Sequence, residues 1–136
     1  MKIVLDTSVV LDVLAERRPF LADSLASMKK AISEGHHLYI SASAATDIFY
    51  ILRKALSSRS EALAAMKRLV RIVGIAQVNE NCIIDALKSS LDDLEDAVVD
   101  EAAAGMGADL IITRNIKDFQ SARTRSVTPE EYIRSF

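Results

Sequence analysis

Short runs of hydrophobic residues alternate along this chain with longer stretches in which hydrophobic residues recur every three or four positions. The short runs predict buried strands, and the longer periodic stretches predict amphipathic helices. This alternation is typical of an α/β domain built on a parallel sheet. The predicted strands are 3–5, 38–40, 74–78 and 110–112.

Capping residues and prolines mark where the predicted helices begin and end. Ser58 and Glu61 have the spacing of a capping box, and Thr128 followed by proline is typical of a helix start. The predicted helices cover 9–16, 20–34, a segment beginning after Ser41 or Ser43, a segment from 58 to about 70, 80–90, 93–106 and a last one from 128. On the 80–90 helix we expect Ile83, Ile84, Leu87 and Leu91 to face inward.

Length and composition limit the functional classes that are open to the chain. With 136 residues and no linker or repeat, a single domain spanning 1–136 is expected. A net charge of −2 gives no overall basic field, so any attraction to nucleic acid must be local. One cysteine, no signal-peptide pattern and no long apolar run predict a soluble cytoplasmic protein with no membrane contact.

Acidic residues fall where the predicted strands end. Asp6 follows the first strand directly, and the 113–118 loop follows the last one. Asp47 lies near the start of the helix after the second strand, and Asp96 lies in the first turn of the helix that leads to the last strand. Because ligands bind at the carboxyl ends of parallel strands, we expect these four segments to meet at one edge.

Clustered carboxylates repel one another, and a divalent cation removes that conflict. Oxygen ligands select hard ions such as Mg²⁺ or Mn²⁺, which also hold substrate phosphates and activate water. This pattern predicts an enzyme of phosphoryl chemistry. Each acid also has a structural interpretation: Asp6 and Asp47 could cap helices, and Asp96 could complete a cap begun by Asp93. Asp100 shares a helix face with Asp96 and could border the site, but we expect it at the surface.

Several segments in order resemble the PIN-domain ribonucleases, a family that includes the VapC-type toxins of toxin–antitoxin pairs. The resemblance covers essentially the whole chain. It rests on Ile-Val-Leu-Asp-Thr-Ser at 3–8, the 40–52 segment, Leu-Glu-Asp-Ala at 94–97, the 107–119 segment and the 127–132 ending. It implies a three-layer α/β/α fold around a central parallel sheet of four to five strands. The implied reaction is hydrolysis of RNA phosphodiester bonds with Mg²⁺ or Mn²⁺.

The resemblance also implies roles for individual residues. Asp6, Asp47, Asp96 and Asp118 are the implied catalytic acids, and Asp6, Asp96, Asp118 and Asn115 the implied metal ligands. Asp47 stands where most relatives carry glutamate, and Asn115 stands where many carry aspartate. These two departures leave catalytic strength in question, and Asp118 is expected to supply the missing charge. Ser8 and Thr113 match supporting hydroxyl positions.

Basic residues near the acids are candidates for binding the RNA backbone. Arg114 and Lys117 are preferred because they flank the proposed site. Arg17, Arg18, Arg53 and Lys54 are further candidates, and most basic residues on helices are interpreted as solvated.

Two other functions stay open at this point. The fold could serve as a catalytically weak or inactive binding module, since fold does not fix function. Alternatively, Asp6 could be the nucleophile of a phosphohydrolase, although Ser8 stands where that chemistry needs a second aspartate. The toxin interpretation, which rests on the resemblance alone, implies an antitoxin protein partner and a homodimer.

Overall fold

Five parallel strands form the central sheet of the computed structural model, which describes residues 1–136. The sheet order is β3-β2-β1-β4-β5, so the first strand lies in the middle. The strands are β1 (Lys2–Leu5), β2 (His37–Ser41), β3 (Gly74–Ala76), β4 (Leu110–Ile112) and β5 (Ser126–Val127). Since β1 pairs with both β2 and β4, the chain order reverses at β1, where an open sheet forms a ligand crevice.

Helices cover both faces of the sheet. They are α1 (Thr7–Leu14), α2 (Leu21–Ser33), α3 (Ala42–Leu56), α4 (Arg59–Leu69), α5 (Glu80–Leu87), α6 (Leu94–Gly105) and α7 (Pro129–Ser135), with a 3₁₀ helix at Ile116–Phe119. Ile3 and Leu5 point into the larger core, whereas Val4 packs with Val99 of α6 on the opposite face. This alternation along β1 separates the layers. None of the helices has the length and apolar character needed to span a bilayer.

The expected three-layer α/β/α fold is confirmed. Ser41, Ser58 and Thr128 each cap a helix by accepting a hydrogen bond from a backbone N–H. The 3₁₀ helix and β5 were not predicted as elements. The two-residue β5 has too little hydrophobic pattern to be recognised.

One prediction about α5 is wrong. Ile83, Ile84 and Leu87 are exposed, and Leu91 is half-buried rather than fully inward. The buried side of α5 carries the smaller Cys82 and Ala86, with Ala86 in a cluster with two residues of α6. Small side chains allow the two helices to approach closely, so the larger residues lie on the outer side.

Asp100 is buried and not at the surface as expected. Its two carboxylate oxygens accept hydrogen bonds of 2.8 and 3.0 Å from the backbone N–H groups of Arg123 and Thr124. The carboxylate thereby fixes the segment that enters β5, and it does not line the acidic crevice.

Candidate active site

Asp6 lies at the carboxyl end of the central strand, and its side chain is held from two sides. Its Oδ2 accepts hydrogen bonds from Thr113 Oγ1 at 2.8 Å and from Ser8 Oγ at 3.0 Å. Its side chain makes no capping hydrogen bond to α1, so Asp6 does not act as a side-chain cap of that helix. Burial raises the pKa of Asp6 above its usual value, and the two hydroxyl donors partly offset this rise.

A pocket of about 360 Å³ opens above Asp6. Residues from four separate segments of the chain border it. Its lining is Asp6, Thr7, Ser8, Leu11, Arg17, Ile51, Asp93, Glu95, Asp96, Arg114, Asn115 and Asp118. We call this space the acidic pocket, because five of the twelve lining residues are carboxylates. The structure thus brings Asp6, Asp96, Asn115 and Asp118 to one place.

Asp96 enters the acidic pocket from the first turn of α6. Its backbone N–H donates to Asp93 Oδ1 at 3.0 Å, so Asp93 is the helix cap and the Asp96 carboxylate remains available. The pKa of Asp96 is raised to about 7, first by burial and then by the neighbouring charges of Asp6, Asp93 and Asp118. Such repulsion is expected where several carboxylates share one site.

Asp47 is half-buried on α3 and does not line the acidic pocket itself. It lies beside Glu95, which does line the pocket. Burial raises the pKa of Glu95 to about 7, with the charge of Asp47 and a hydrogen bond shared with it as the next causes. Asp47 therefore acts on the pocket through Glu95, whose carboxyl group can take up or release a proton near neutral pH.

The segment after β4 supplies both supporting and exposed groups. Thr113 is fully buried, and its Oγ1 also accepts a hydrogen bond of 3.0 Å from the backbone N–H of Asn115. Asn115 and Asp118 are exposed on the pocket wall. Lys117 points elsewhere: it lines a neighbouring cleft of about 410 Å³ together with Asp92, Gln120 and other residues. Asp118 thus lines both spaces, whereas Lys117 lines only the neighbouring cleft.

Two arginines line the acidic pocket, and they differ in how they are held. Arg114 forms an ion pair with the buried Asp12, with its Nε 2.7 Å from Asp12 Oδ2. Arg17 is half-buried and makes no ion pair within the chain. The pocket therefore combines several carboxylates with two cations at its border.

The donors of the acidic pocket suit a hard divalent cation, because they are carboxylate and amide oxygens. As the side chains stand, no three Asp, Glu, His or Cys residues converge closely enough to enclose an ion. Mg²⁺ does not require such an enclosure, since it usually keeps several waters and binds one or two carboxylates directly. The donor set therefore fits an ion held partly through water, with Asp6 and Asp96 as the innermost candidates.

Sequence reasoning missed two residues of this region. Glu95 stands in an acid-rich helix start, and only its position relative to α3 distinguishes it from Asp92 and Asp93. Asp12 does not follow a predicted strand, so the pattern of acids at strand ends did not include it. Its signal was its place among Val9, Val10 and Leu11 on the buried side of a helix, where a charge requires a partner.

The chain is similar to known proteins over most of its length. A family model described as the PIN domain matches residues 2–117. The chain is 27% identical over 136 residues to a protein named ribonuclease VapC1 from Aquifex aeolicus, covering 96% of this chain and 92% of that protein.

Solved structures share the fold at low sequence identity. The VapBC2 complex of Rickettsia felis, bound to a promoter DNA fragment, matches with a TM-score of 0.75 at 12% identity, covering 94% of this chain and 98% of the other. VapBC-1 of nontypeable Haemophilus influenzae matches with a TM-score of 0.72 at 18% identity, covering 96% and 99%.

Proposed function

The chain belongs to the PIN-domain family, and we propose that it is a metal-dependent endoribonuclease whose acidic pocket hydrolyses RNA phosphodiester bonds. The observation that carries this proposal is the meeting of Asp6, Asp96 and Asp118 in one pocket, where burial and then the repulsion between these carboxylates raise the pKa of Asp96 to about 7. The ribonuclease name of the relative from Aquifex aeolicus supports it.

The residues of the pocket have distinct parts in this proposal. Asp6 and Asp96 hold the ion, with Asp118 and Asn115 on the outer wall. Thr113 and Ser8 keep the Asp6 carboxylate in one orientation through hydrogen bonds of 2.8 and 3.0 Å. A bound Mg²⁺ or Mn²⁺ supplies an activated water and stabilises the charge that develops on the phosphate. Glu95 contributes a carboxyl group to the pocket, and Asp47 on α3 raises the pKa of that group.

The proposal is tested with purified protein and a mixture of short RNA oligonucleotides in Mg²⁺, in Mn²⁺ and in excess EDTA. We expect cleavage with either metal and none in EDTA. Asp6→Asn and Asp96→Asn are expected to abolish cleavage while the protein stays folded. Asp85→Asn is the matched control, because Asp85 is exposed on α5 and lies outside the acidic pocket.

Two other results would each favour a different function. A folded wild-type protein that neither cleaves RNA nor binds either metal in a calorimetric titration points to a binding module with the same fold. A covalent phosphate trapped on Asp6 points to a phosphohydrolase with an aspartyl nucleophile.

We further propose that the chain is the toxin of a toxin–antitoxin pair. The solved structures of similar fold are VapBC toxin–antitoxin proteins, which supports a protein partner, and we expect that partner to cover the acidic pocket. Expression of the chain is expected to arrest growth of the host, and co-expression of a short neighbouring gene is expected to relieve the arrest. Asp6→Asn is the control and should not arrest growth. Normal growth on expression of the active wild-type protein would contradict the toxin role.

A homodimer is the last part of the proposal. Ile83, Ile84 and Leu87 give α5 an exposed apolar side, and exposed apolar patches often mark protein interfaces. Light scattering after size exclusion measures the mass directly. A monomer at high micromolar concentration contradicts the homodimer and leaves the nuclease proposal untouched.

A further inference from the structure

Asp12 is a fully buried carboxylate that lies outside the acidic pocket. It is on α1 with 0% of its surface exposed. Ser24 Oγ donates a hydrogen bond of 2.9 Å to its Oδ2, and Arg114 donates two more, from Nε at 2.7 Å and from Nη2 at 3.1 Å. A charge buried this deeply is costly unless it is paired, so the Arg114 guanidinium is the partner that makes this position tolerable.

Arg114 connects this buried carboxylate to the acidic pocket. Its side chain is 24% exposed and lines the pocket. Along the chain it lies between Thr113, which donates to Asp6, and Asn115, which is on the pocket wall. A displacement of the Arg114 backbone would therefore also move Thr113 and Asn115, its two neighbours in the chain.

The guanidinium of Arg114 has little freedom to move. Asp12 binds it through two parallel hydrogen bonds, and the Phe20 ring lies 3.8 Å from its central carbon. A forked carboxylate contact and a stacked ring together define both the plane and the direction of a guanidinium. Arg17 and Lys117, the other cations of this region, make no ion pair within the chain and have no comparable constraint.

A fixed cation is useful beside a cluster of carboxylates. An RNA strand that approaches the acidic pocket is repelled by the ionised members of its five lining carboxyl groups. A guanidinium held at the pocket wall counters this repulsion at one defined point, and its geometry suits phosphate oxygens. Its Nη1 makes no hydrogen bond within the chain and remains available for such a contact.

We propose that Asp12 is a positioning residue for RNA: it holds Arg114 at the wall of the acidic pocket, where Arg114 contacts a backbone phosphate of the bound strand. This inference rests on the proposed ribonuclease function, and it adds a residue that does not itself touch the substrate. Asp12 acts only through Arg114, so substitutions at the two positions are expected to produce the same kinetic change.

The test compares three variants of the full chain on one RNA oligonucleotide in Mn²⁺. Asp12→Asn places an amide donor against the donors of Arg114 and breaks the fork. Arg114→Lys keeps the positive charge but cannot form two parallel hydrogen bonds. Arg123→Ala is the matched control, because Arg123 pairs with the nearly buried Glu101 at 2.7 Å and lies outside the acidic pocket.

Steady-state kinetics at a temperature where each variant is folded separates positioning from stability. We expect Asp12→Asn and Arg114→Lys to raise KM about tenfold, as for the loss of one phosphate contact of about 1–2 kcal/mol, with kcat changed less than KM. We also expect the slope of log KM against log salt to fall by about 0.7, the value for one phosphate contact on a single strand. Arg123→Ala is expected to lower the melting temperature and leave both KM and the slope unchanged.

Each outcome of these measurements supports or overturns the positioning role of Asp12. A folded Asp12→Asn protein with wild-type KM and salt slope overturns the positioning role while the ribonuclease proposal stands. If Asp12→Asn does not fold, Arg114→Lys decides in its place, since its side chain is partly exposed, and an unchanged KM overturns the role. If the wild-type protein neither binds nor cleaves RNA, both proposals fail together.

Discussion

Thr113 Oγ1 donates a hydrogen bond of 2.8 Å to Asp6 Oδ2 across the ends of two neighbouring strands. The same oxygen accepts the backbone N–H of Asn115 at 3.0 Å. One buried hydroxyl thus orients a carboxylate of the acidic pocket and the first residue of its outer wall. Its contribution can be separated from that of the fold, because valine has nearly the same shape as threonine and lacks the hydroxyl.

Thr113→Val is expected to weaken Mn²⁺ binding by about 10- to 100-fold, the usual effect of removing a group that orients a metal ligand. The hydrogen bond from Thr113 lowers the pKa of Asp6, so its loss leaves that carboxyl harder to ionise. We expect the free energy of unfolding to fall by only about 1–3 kcal/mol. Calorimetric titration with Mn²⁺ measures the affinity, and Thr113→Ser, which keeps the hydroxyl, is the control. Equal affinities for the valine and serine variants would contradict this role.

The raised pKa of Asp96 predicts an unusual dependence of stability on pH. The folded protein holds a proton on Asp96 up to about pH 7, whereas the unfolded chain releases it near 3.8. Between these values the folded state binds more protons, so the stability of the metal-free protein falls as pH rises through this window.

Asp96→Asn removes this penalty. At pH 8 in EDTA the variant is expected to melt roughly 2–4 °C above the wild type, a small shift because Asp96 is partly exposed and solvent screens its charge. At pH 4 the two proteins are expected to melt together. Thermal melts at both pH values measure this, with Asp85→Asn as a control that shifts neither. A destabilised Asp96→Asn at pH 8 would show that the carboxylate supports the fold.

The contact between Asp47 and Glu95 makes a separate prediction. The charge of Asp47 is the second cause of the raised pKa of Glu95, after burial. Asp47→Asn is therefore expected to lower the pKa of Glu95 from about 7 toward, but not down to, its usual 4.5. Carbon-detected NMR titration of the metal-free protein follows the Glu95 carboxyl directly. A pKa that stays near 7 in the variant would mean that burial and the charges of Asp93 and Asp6 set it without Asp47.

The fold was predictable because its strands are short hydrophobic runs and its helices carry local signals. The Ser58 cap accepts a hydrogen bond from the Glu61 backbone N–H, and the Thr128 cap accepts one from Glu131, as their spacing predicted. The outer side of α5 was not predictable, because a sequence of mixed large and small apolar residues does not say which side meets a neighbouring helix. Here Ala86 faces α6, and Leu87 faces solvent.

The candidate site, like the fold, has residues that the sequence predicts and residues that it does not. Asp6 follows a strand end, and strand ends are visible in the sequence. Glu95 and Asp12 depend on tertiary packing, since α3 brings Asp47 to the first, and the segment after β4 brings Arg114 to the second. The roles of the metal ligands, of the supporting hydroxyls and of Lys117 stay predictions that the experiments above address.

Gly74 at the start of β3 permits the close approach of Tyr39 in the neighbouring strand. A Cβ at this position would lie 2.7 Å from two carbons of the Tyr39 ring, closer than real side chains come. Gly74→Ala must displace the ring or the strand, so we expect it to lower the free energy of unfolding by about 1–3 kcal/mol.

Gly105→Ala is the matched control: the added Cβ meets nothing within 4 Å, and Gly105 ends the helix α6. There alanine is expected to be neutral or to stabilise by up to about 1 kcal/mol. Urea unfolding of the two variants measures the difference, because the same added methyl group should destabilise the protein at 74 and not at 105; equal destabilisation at both sites would mean that the Tyr39 contact is not what requires glycine at 74.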